Sequence, residues 1–513
     1  MRNRRIGIRG RALARPAVWL AIGMSLGCEL SPVAAPNTPD VTLTAVAGAT
    51  PQSAVVGTAV PIAPSVRVSG ADGKPLRGVL VLFVAVTAPG TVYSYSVETD
   101  ADGTAASQQW QLGPRAGPYE MTAIAPRSTN GRRALFTATA TPGVARSIAT
   151  SPTKLSLAPG ASGTIVTNLL DQFGNVVTAG VNATLVSSNS AAATVGPGGL
   201  VSAVGTGVAR ITVSFSSFSR DVWTAVGVRP LGTSVTSTAV TESPIGLAIS
   251  TTGVAYVGRG ASAVRFDLPG ENSTATITGL SSVEGIAFLP NGTRAYLANF
   301  GDDRISIVDV ATNTVLRTIT GISNPARVVA APGGAYVYVT TFNGMLHRID
   351  TATDAITTLT LSGRLQGLAL SGTSPTLFVS SAEGGVWDID LTTFTRRLNV
   401  NLNIQARGLA VSLDGARLFV ASAGGPLEVV STTTLGRITT VPAASGAFEL
   451  ALTRDAAELY VVRTNAGQTM VIDADSYAVR GSLPSATPRM IAFNASGALA
   501  MITNQGGSVS FVR

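Results

Sequence analysis

Seven short apolar stretches recur through the second half of the chain, each followed by a turn and a β-rich run. They are Gly246-Leu247-Ala248-Ile249, Gly285-Ile286-Ala287-Phe288, Arg327-Val328-Val329-Ala330, Gly367-Leu368-Ala369-Leu370, Gly408-Leu409-Ala410-Val411, Glu449-Leu450-Ala451-Leu452 and Met490-Ile491-Ala492-Phe493. Their third residues are separated by 39, 42, 40, 41, 41 and 41 positions. Within each repeat a turn such as Leu289-Pro290-Asn291-Gly292 or Leu413-Asp414-Gly415 leads to a second strand such as Ala295 to Ala298 or Leu459 to Val462. Asn-Gly and Asp-Gly tolerate the positive φ of tight hairpins. A third strand then ends near an acidic residue, as at Asp309, Asp350, Asp390 and Asp473, and a Thr-rich return strand completes the unit. Four strands at a period near 40 residues predict propeller blades.

The tyrosine and valine second strands and the Asp-x-x-Thr elements resemble YVTN-type seven-bladed propeller repeats, and the resemblance covers residues 233 to 513. It implies a fold and no particular activity. The seventh repeat stops at Phe511-Val512-Arg513, one strand short. An open blade would expose an unpaired sheet edge. The β-prone stretch Thr233 to Val240 is therefore expected to supply the missing strand and latch the ring.

Two smaller all-β modules precede the repeats. Over residues 147–227, the elements Val186-Ser187-Ser188-Asn189, Gly199-Leu200-Val201 and the alternating run to Val213 resemble bacterial Ig-like modules of group 2, with a longer central turn at Asp171 to Asn175. Over residues 40–142, Asp72-Gly73-Lys74-Pro75, the alternating strand Leu80 to Val86, Thr99-Asp100-Ala101-Asp102-Gly103 and Ala116-Gly117-Pro118-Tyr119 resemble group 1 modules of bacterial surface adhesins. Short strands at regular spacing predict β-sandwiches on physical grounds as well. The expected fold class is thus all-β, two Ig-like β-sandwich modules followed by a seven-bladed β-propeller over 233–513. Neither module has a cysteine pair, so each must rest on its apolar faces alone.

Six arginines precede the apolar run Ala17 to Met24, which is too short to span a bilayer. Residues 1–27 read as an export signal. The chain's only cysteine, Cys28, follows Ser25-Leu26-Gly27, an arrangement that resembles a lipobox with Ser25 where leucine is usual. The resemblance implies acylation of Cys28, hence a lipoprotein attached to the membrane of a bacterial envelope and facing the periplasm or the cell surface. An ordinary secretory signal cleaved nearby is the alternative. Residues 28–39, rich in Pro, Ala and Ser, would form the tether.

Removing the signal takes the formal charge from +8 to +2. No basic patch remains for a phosphate backbone, and aromatic residues make up only 5% of the chain, so nucleic acid is excluded as a partner. A hydrolytic triad would need the one histidine, His347, and nothing near it offers a nucleophile context such as Gly-x-Ser-x-Gly; a zinc site lacks histidine and cysteine ligands, and no catalytic, cofactor or metal residue is assigned. His347 reads as a packing or strand-surface residue. Asp302-Asp303 and Asp100-Ala101-Asp102-Gly103 could offer oxygens to calcium but read more simply as polar turns.

The residue at or just before the start of each apolar stretch is polar in six of seven repeats: Ile245, then Glu284, Arg327, Gln366, Arg407, Glu449 and Arg489. These six are the candidate ligand-binding residues. They would lie at the mouth of the ring, beside loops such as Asn299 to Arg304 and Thr341 to Gly344, either as a solvated rim or as a shallow site for an anionic or polar ligand. The expected function is binding, adhesion or scaffolding at the envelope, with an unknown protein, polysaccharide or envelope component as partner. The alternative is an envelope enzyme of lactonase or lyase type at the same mouth.

Overall fold

A computed structural model describes residues 40–87, 91–126, 133–230, 232 and 234–513. The export signal, Cys28 and the tether lie outside the described residues. The chain is all-β and divides into two compact units at Pro142–Gly143.

In the first unit a three-stranded sheet (Thr42–Ala45, Ser65–Ser69, Thr104–Ala106) and a five-stranded sheet (Gln52–Val55, Arg133–Thr141, Gly117–Ile124, Leu80–Thr87, Thr91–Glu98) share one apolar core. Alternation is the cause: along Arg133–Thr141 every second residue is buried, so Phe136, Ala138 and Ala140 face Phe83, Met121 and Trp110.

The second unit begins with three small sheets around Ile148, Ile165, Val201, Ile211, Val213 and Val222. Its longest hairpin, Gly207–Phe215 with Phe218–Val226, turns through Ser216 at φ 53°. The central turn is tied by Asp171, whose carboxylate accepts the N–H groups of Phe173 (2.8 Å), Asn175 (2.9 Å) and Gly143 (2.9 Å).

Seven four-stranded antiparallel sheets follow. Blades 1 to 7 have as their first strands Pro244–Ile249, Val283–Phe288, Pro325–Ala330, Leu365–Leu370, Ala406–Val411, Glu449–Leu452 and Pro488–Phe493. Each first strand packs against the next one round, and the seventh packs against the first, which makes a closed propeller-like ring. The missing strand comes from upstream: Val235–Ala239 pairs with Ser508–Val512 in the register Val235↔Val512, and Arg513 bonds to Glu271 of blade 1.

One position explains how neighbouring blades hold together. The third residue of each second strand buries a large side chain, Tyr256, Tyr296, Tyr338, Phe378, Phe419 and Tyr460, and in blade 7 the second residue, Met501, takes the same place. Each sits in a cluster with the following blade, as Tyr256 does with Ile286 and Leu297, and Met501 with Ala255 and Val257. Burying such a side chain contributes about 1.5–3 kcal/mol. The Asp-x-x-Thr elements have a separate task, turning strand three into strand four. Asp309 accepts the N–H and hydroxyl of Thr312 (2.8 and 3.0 Å), Asp350 and Asp473 do the same with Thr353 and Ser476, and Asp390 accepts the N–H of Thr393.

The second module packs onto the ring. Ser156 Oγ donates to the Asp455 carbonyl (2.7 Å), Lys154 pairs with Asp475, and Val228 N–H donates to the Ser496 carbonyl (3.3 Å). Two glycines permit this approach: a Cβ at Gly227 would lie 2.9 Å from Arg454 Cβ, and one at Gly497 would lie 2.1 Å from the Val228 carbonyl oxygen. The contacts fall on turns between first and second strands and, at Asp475, between third and fourth, so residues Thr206 to Val208 lie over one end of the ring. A cavity of about 520 Å³ separates them from Leu413, Leu452 and Arg454. The boundary expected at 227 to 233 thus joins two packed bodies within one compact unit.

Two measurements check this architecture. Deleting residues 234–240 should expose the Ser508–Val512 edge, lowering the melting temperature and producing oligomers; an unchanged melting temperature in a monomer would contradict the latch. Backbone N–H donors hold Asp309, Asp350, Asp390 and Asp473 below the ordinary aspartate value of 3.8. Their contribution is complete above that value and is lost as pH falls through the depressed native values. Acid unfolding below about pH 4 should therefore be less steep in an Asp309→Ala, Asp350→Ala variant than in the wild type.

Candidate functional site

In six of the seven blades the pairing between first and second strands slips near its start, between Pro244 and Leu247, Val283 and Gly285, Pro325 and Val328, Leu365 and Gly367, Ala406 and Leu409, and Pro488 and Met490. The slip leaves Glu284, Arg327, Gln366, Arg407 and Arg489 outside the ladder. Such bulges bend a strand and re-aim its side chains. The freed backbone groups find local partners: Thr340, Ser380 and Thr503 hydroxyls accept the N–H of Arg327 (3.1 Å), Gly367 (2.9 Å) and Met490 (3.1 Å).

The candidate residues resolve into two adjacent positions of the repeat. One carries Ile245, Glu284, Ala326, Gln366, Arg407, Phe448 and Arg489; the next carries Gly246, Gly285, Arg327, Gly367, Gly408, Glu449 and Met490. Glycine at the second position lets adjacent strands touch. A Cβ at Gly285 would lie 2.4 Å from the Ala326 carbonyl oxygen, and one at Gly367 would lie 2.3 Å from that of Arg407. Arg327 and Glu449 replace glycine in blades 3 and 6, and they pair across the ring at 3.4 Å. Their side chains are only 11% and 12% exposed, so they lie inside the channel. A second bond joins Arg327 Nη1 to the Glu284 carbonyl (3.1 Å).

Arg489 and Arg407 converge on Phe448, their guanidinium carbons 3.8 Å and 5.3 Å from its ring centroid. This places cations against an aromatic face. Among the described residues nothing accepts a hydrogen bond from the Nε of Arg327, Arg407 or Arg489, or from Nε2 of Gln366, although all four atoms are buried. Gln366 itself is 6% exposed. Burial first, then repulsion from Arg327 and Arg407, pushes Arg489 down to about 10. Burial and the neighbouring Arg364 and Arg327 lower Arg407 likewise, and burial raises Glu449 against the pull of Arg327. The low exposure of Arg327, Gln366 and Glu449 makes this a partly buried charged cluster rather than a fully solvated rim.

Phe448 and Arg364, which sequence reasoning passed over, belong to the same end of the ring as the loops that carry Phe300 and Phe342. Phe448 stood one position before Glu449 and was masked by alignment on the acid. Phe342 stacks against Phe300 (5.3 Å) and carries Arg364 over its ring (4.7 Å). His347 lies elsewhere, 7% exposed on the third strand of blade 3, with Nδ1 2.9 Å from Thr358 Oγ1 and its pKa lowered by burial. Asp303 accepts the Asn324 N–H (2.7 Å), Asp302 pairs with Arg304 (2.9 Å), and Asp100 accepts the N–H groups of Asp102 and Thr104 (3.0 and 2.8 Å). Asp100 thus shapes its own turn, Asp303 ties its loop to the entry of blade 3, and Asp302 is half of an ion pair. Among the described residues no group of three or more acidic, histidine or cysteine side chains is gathered.

No family model and no curated protein matches the chain. Solved structures do: hydrazine synthase from Kuenenia stuttgartiensis aligns with a TM-score of 0.50 at 15% identity, over 54% of this chain and 96% of that one. With 1664 solved chains matching, the likeness speaks for a widely reused propeller-containing architecture and carries no activity.

The buried pair gives a stability prediction. Arg327→Ala leaves Glu449 without its partner and should cost about 3 kcal/mol, while adding Glu449→Gln should recover most of that. Arg489→Met removes a desolvated cation that has no ion-pair partner among the described residues and keeps an apolar contact with Phe448, so it should keep or raise the melting temperature. Denaturant melts of the three variants check both statements; equal losses in all three would contradict the charge assignment.

Proposed function

We propose that this protein is an exported binding protein of the bacterial envelope or cell surface, in which the ring is a YVTN-type seven-bladed propeller acting as the binding head. The two upstream modules are read as Ig-like sandwiches that present it, and acylated Cys28 as the membrane anchor. The observation that carries the reading is the cluster of Arg327, Arg407 and Arg489 in the channel, with buried Nε–H groups that have no acceptor among the described residues. Unsatisfied buried donors cost stability, and such costs concentrate at functional sites. The partner would be a protein, polysaccharide or envelope component bearing a polar or anionic group that reaches the channel. Its far end lies under the second module, so access is from the charged end.

Envelope extract passed over the full chain tests this. Wild type should retain a component that an Arg407→Ala, Arg489→Ala variant does not, with retention weakening as salt rises. Equal capture by both would move the contact to the blade edges or to the upstream modules. Turnover of a small polar substrate that stops in the same variant would favour the lactonase or lyase reading instead. For the anchor, the mature protein should partition into detergent with lipid mass on Cys28, and Cys28→Ser should be soluble or unprocessed. An unmodified mature terminus downstream of residue 28 would contradict it.

A further inference from the structure

The donors and acceptors inside the channel do not balance. Arg327, Arg407 and Arg489 set three guanidiniums against the carboxylates of Glu284 and Glu449, leaving one positive charge in excess. The carboxylates are also partly used: Glu449 Oε2 faces Arg327 at 3.4 Å and its Oε1 accepts the Leu450 N–H at 3.1 Å. Four buried N–H donors, the three Nε groups and Gln366 Nε2, have no acceptor among the described residues. They come from blades 3, 4, 5 and 7, so no single loop can satisfy them by moving. A guanidinium that offers Nε and Nη together presents two parallel donors, spaced to match the two oxygens of a carboxylate or phosphate.

We propose that the channel is an oxyanion site, which takes the carboxylate or phosphate group of a small ligand or of a group projecting from a larger partner. Arg407 and Arg489 hold the anion as forks, steadied by stacking on Phe448, and Gln366 donates a further bond. Arg327, already tied to Glu449 and to the Glu284 carbonyl, positions the cluster and adds charge. The proposal deepens the binding reading above by naming the chemistry recognised at the same site. Three cations crowded out of water repel one another, and a bound anion relieves that repulsion; the bound state should therefore be the more stable one.

The test is calorimetric titration of the full chain with inorganic phosphate and, separately, with succinate, at constant ionic strength. Saturable one-to-one binding of either probe is expected, and the probe that binds distinguishes a phosphate ligand from a carboxylate one. An Arg407→Lys, Arg489→Lys variant keeps the charge but loses both Nε donors, and its affinity should fall about tenfold or more. Gln366→Leu should weaken binding several-fold, about the loss of one hydrogen bond. Arg480→Ala, which removes an arginine paired with Asp473 on the outer part of blade 6, should leave it unchanged. Circular dichroism melts confirm that each variant is folded. If neither probe binds saturably, or if the lysine variant binds as wild type does, the oxyanion site is wrong. Capture of an envelope component that excess phosphate and succinate fail to displace would reject the oxyanion chemistry while leaving the binding function in place. Saturable anion binding with no capture would do the reverse.

Discussion

Closing seven sheets around a narrow axis requires the first strands to approach at backbone distance, and the rest of the ring is arranged around that contact. Glycine at Gly246, Gly285, Gly367 and Gly408 makes room for it, since a Cβ at Gly408 would lie 2.8 Å from the Cα of Glu449. Outside this tight inner contact, the large side chains from Tyr256 to Met501 fill the widening space between blades. The final strand of the ring comes from Val235–Ala239, so closure joins the two ends of the repeat array and buries Phe511 beside Phe266, with ring centroids 5.6 Å apart.

The same constraint produces the charged cluster. Strands pressed together at the axis slip out of register at their starts, and the slip turns the preceding residues inward. At two of the three blades that lack this glycine, Arg327 and Glu449 bring opposite charges together across the ring. Among the described residues Arg407 and Arg489 have no such ion-pair partner, and they lean on Phe448. Fixed strands hold them in place, so the cost of keeping cations apart from water is met by the folding of the ring rather than at the moment of binding.

Much of this could be read from the sequence because it is periodic. The spacing of the apolar stretches gave the blades, the missing last strand pointed to Val235–Ala239, and polar residues at an otherwise apolar position marked the six candidates. Other features depend on pairing rather than on local pattern. Whether Arg327 and Arg407 share a level in the channel rests on the register slips, which a sequence does not display. Phe448 was hidden because an acid follows it. The packing of the second module onto the ring depends on Ser156 meeting Asp455 and Gly227 meeting Arg454, contacts between residues far apart in the chain that leave no composition signal.

The central claim is that Arg407 and Arg489 await an anion. Crystals soaked in selenate and measured at the selenium absorption edge test it most directly. An anomalous peak within hydrogen-bonding reach of both guanidiniums, and absent from crystals of the Arg407→Lys, Arg489→Lys variant, is the expected result. Peaks confined to the outer surface, with the channel empty at full occupancy elsewhere, would contradict it.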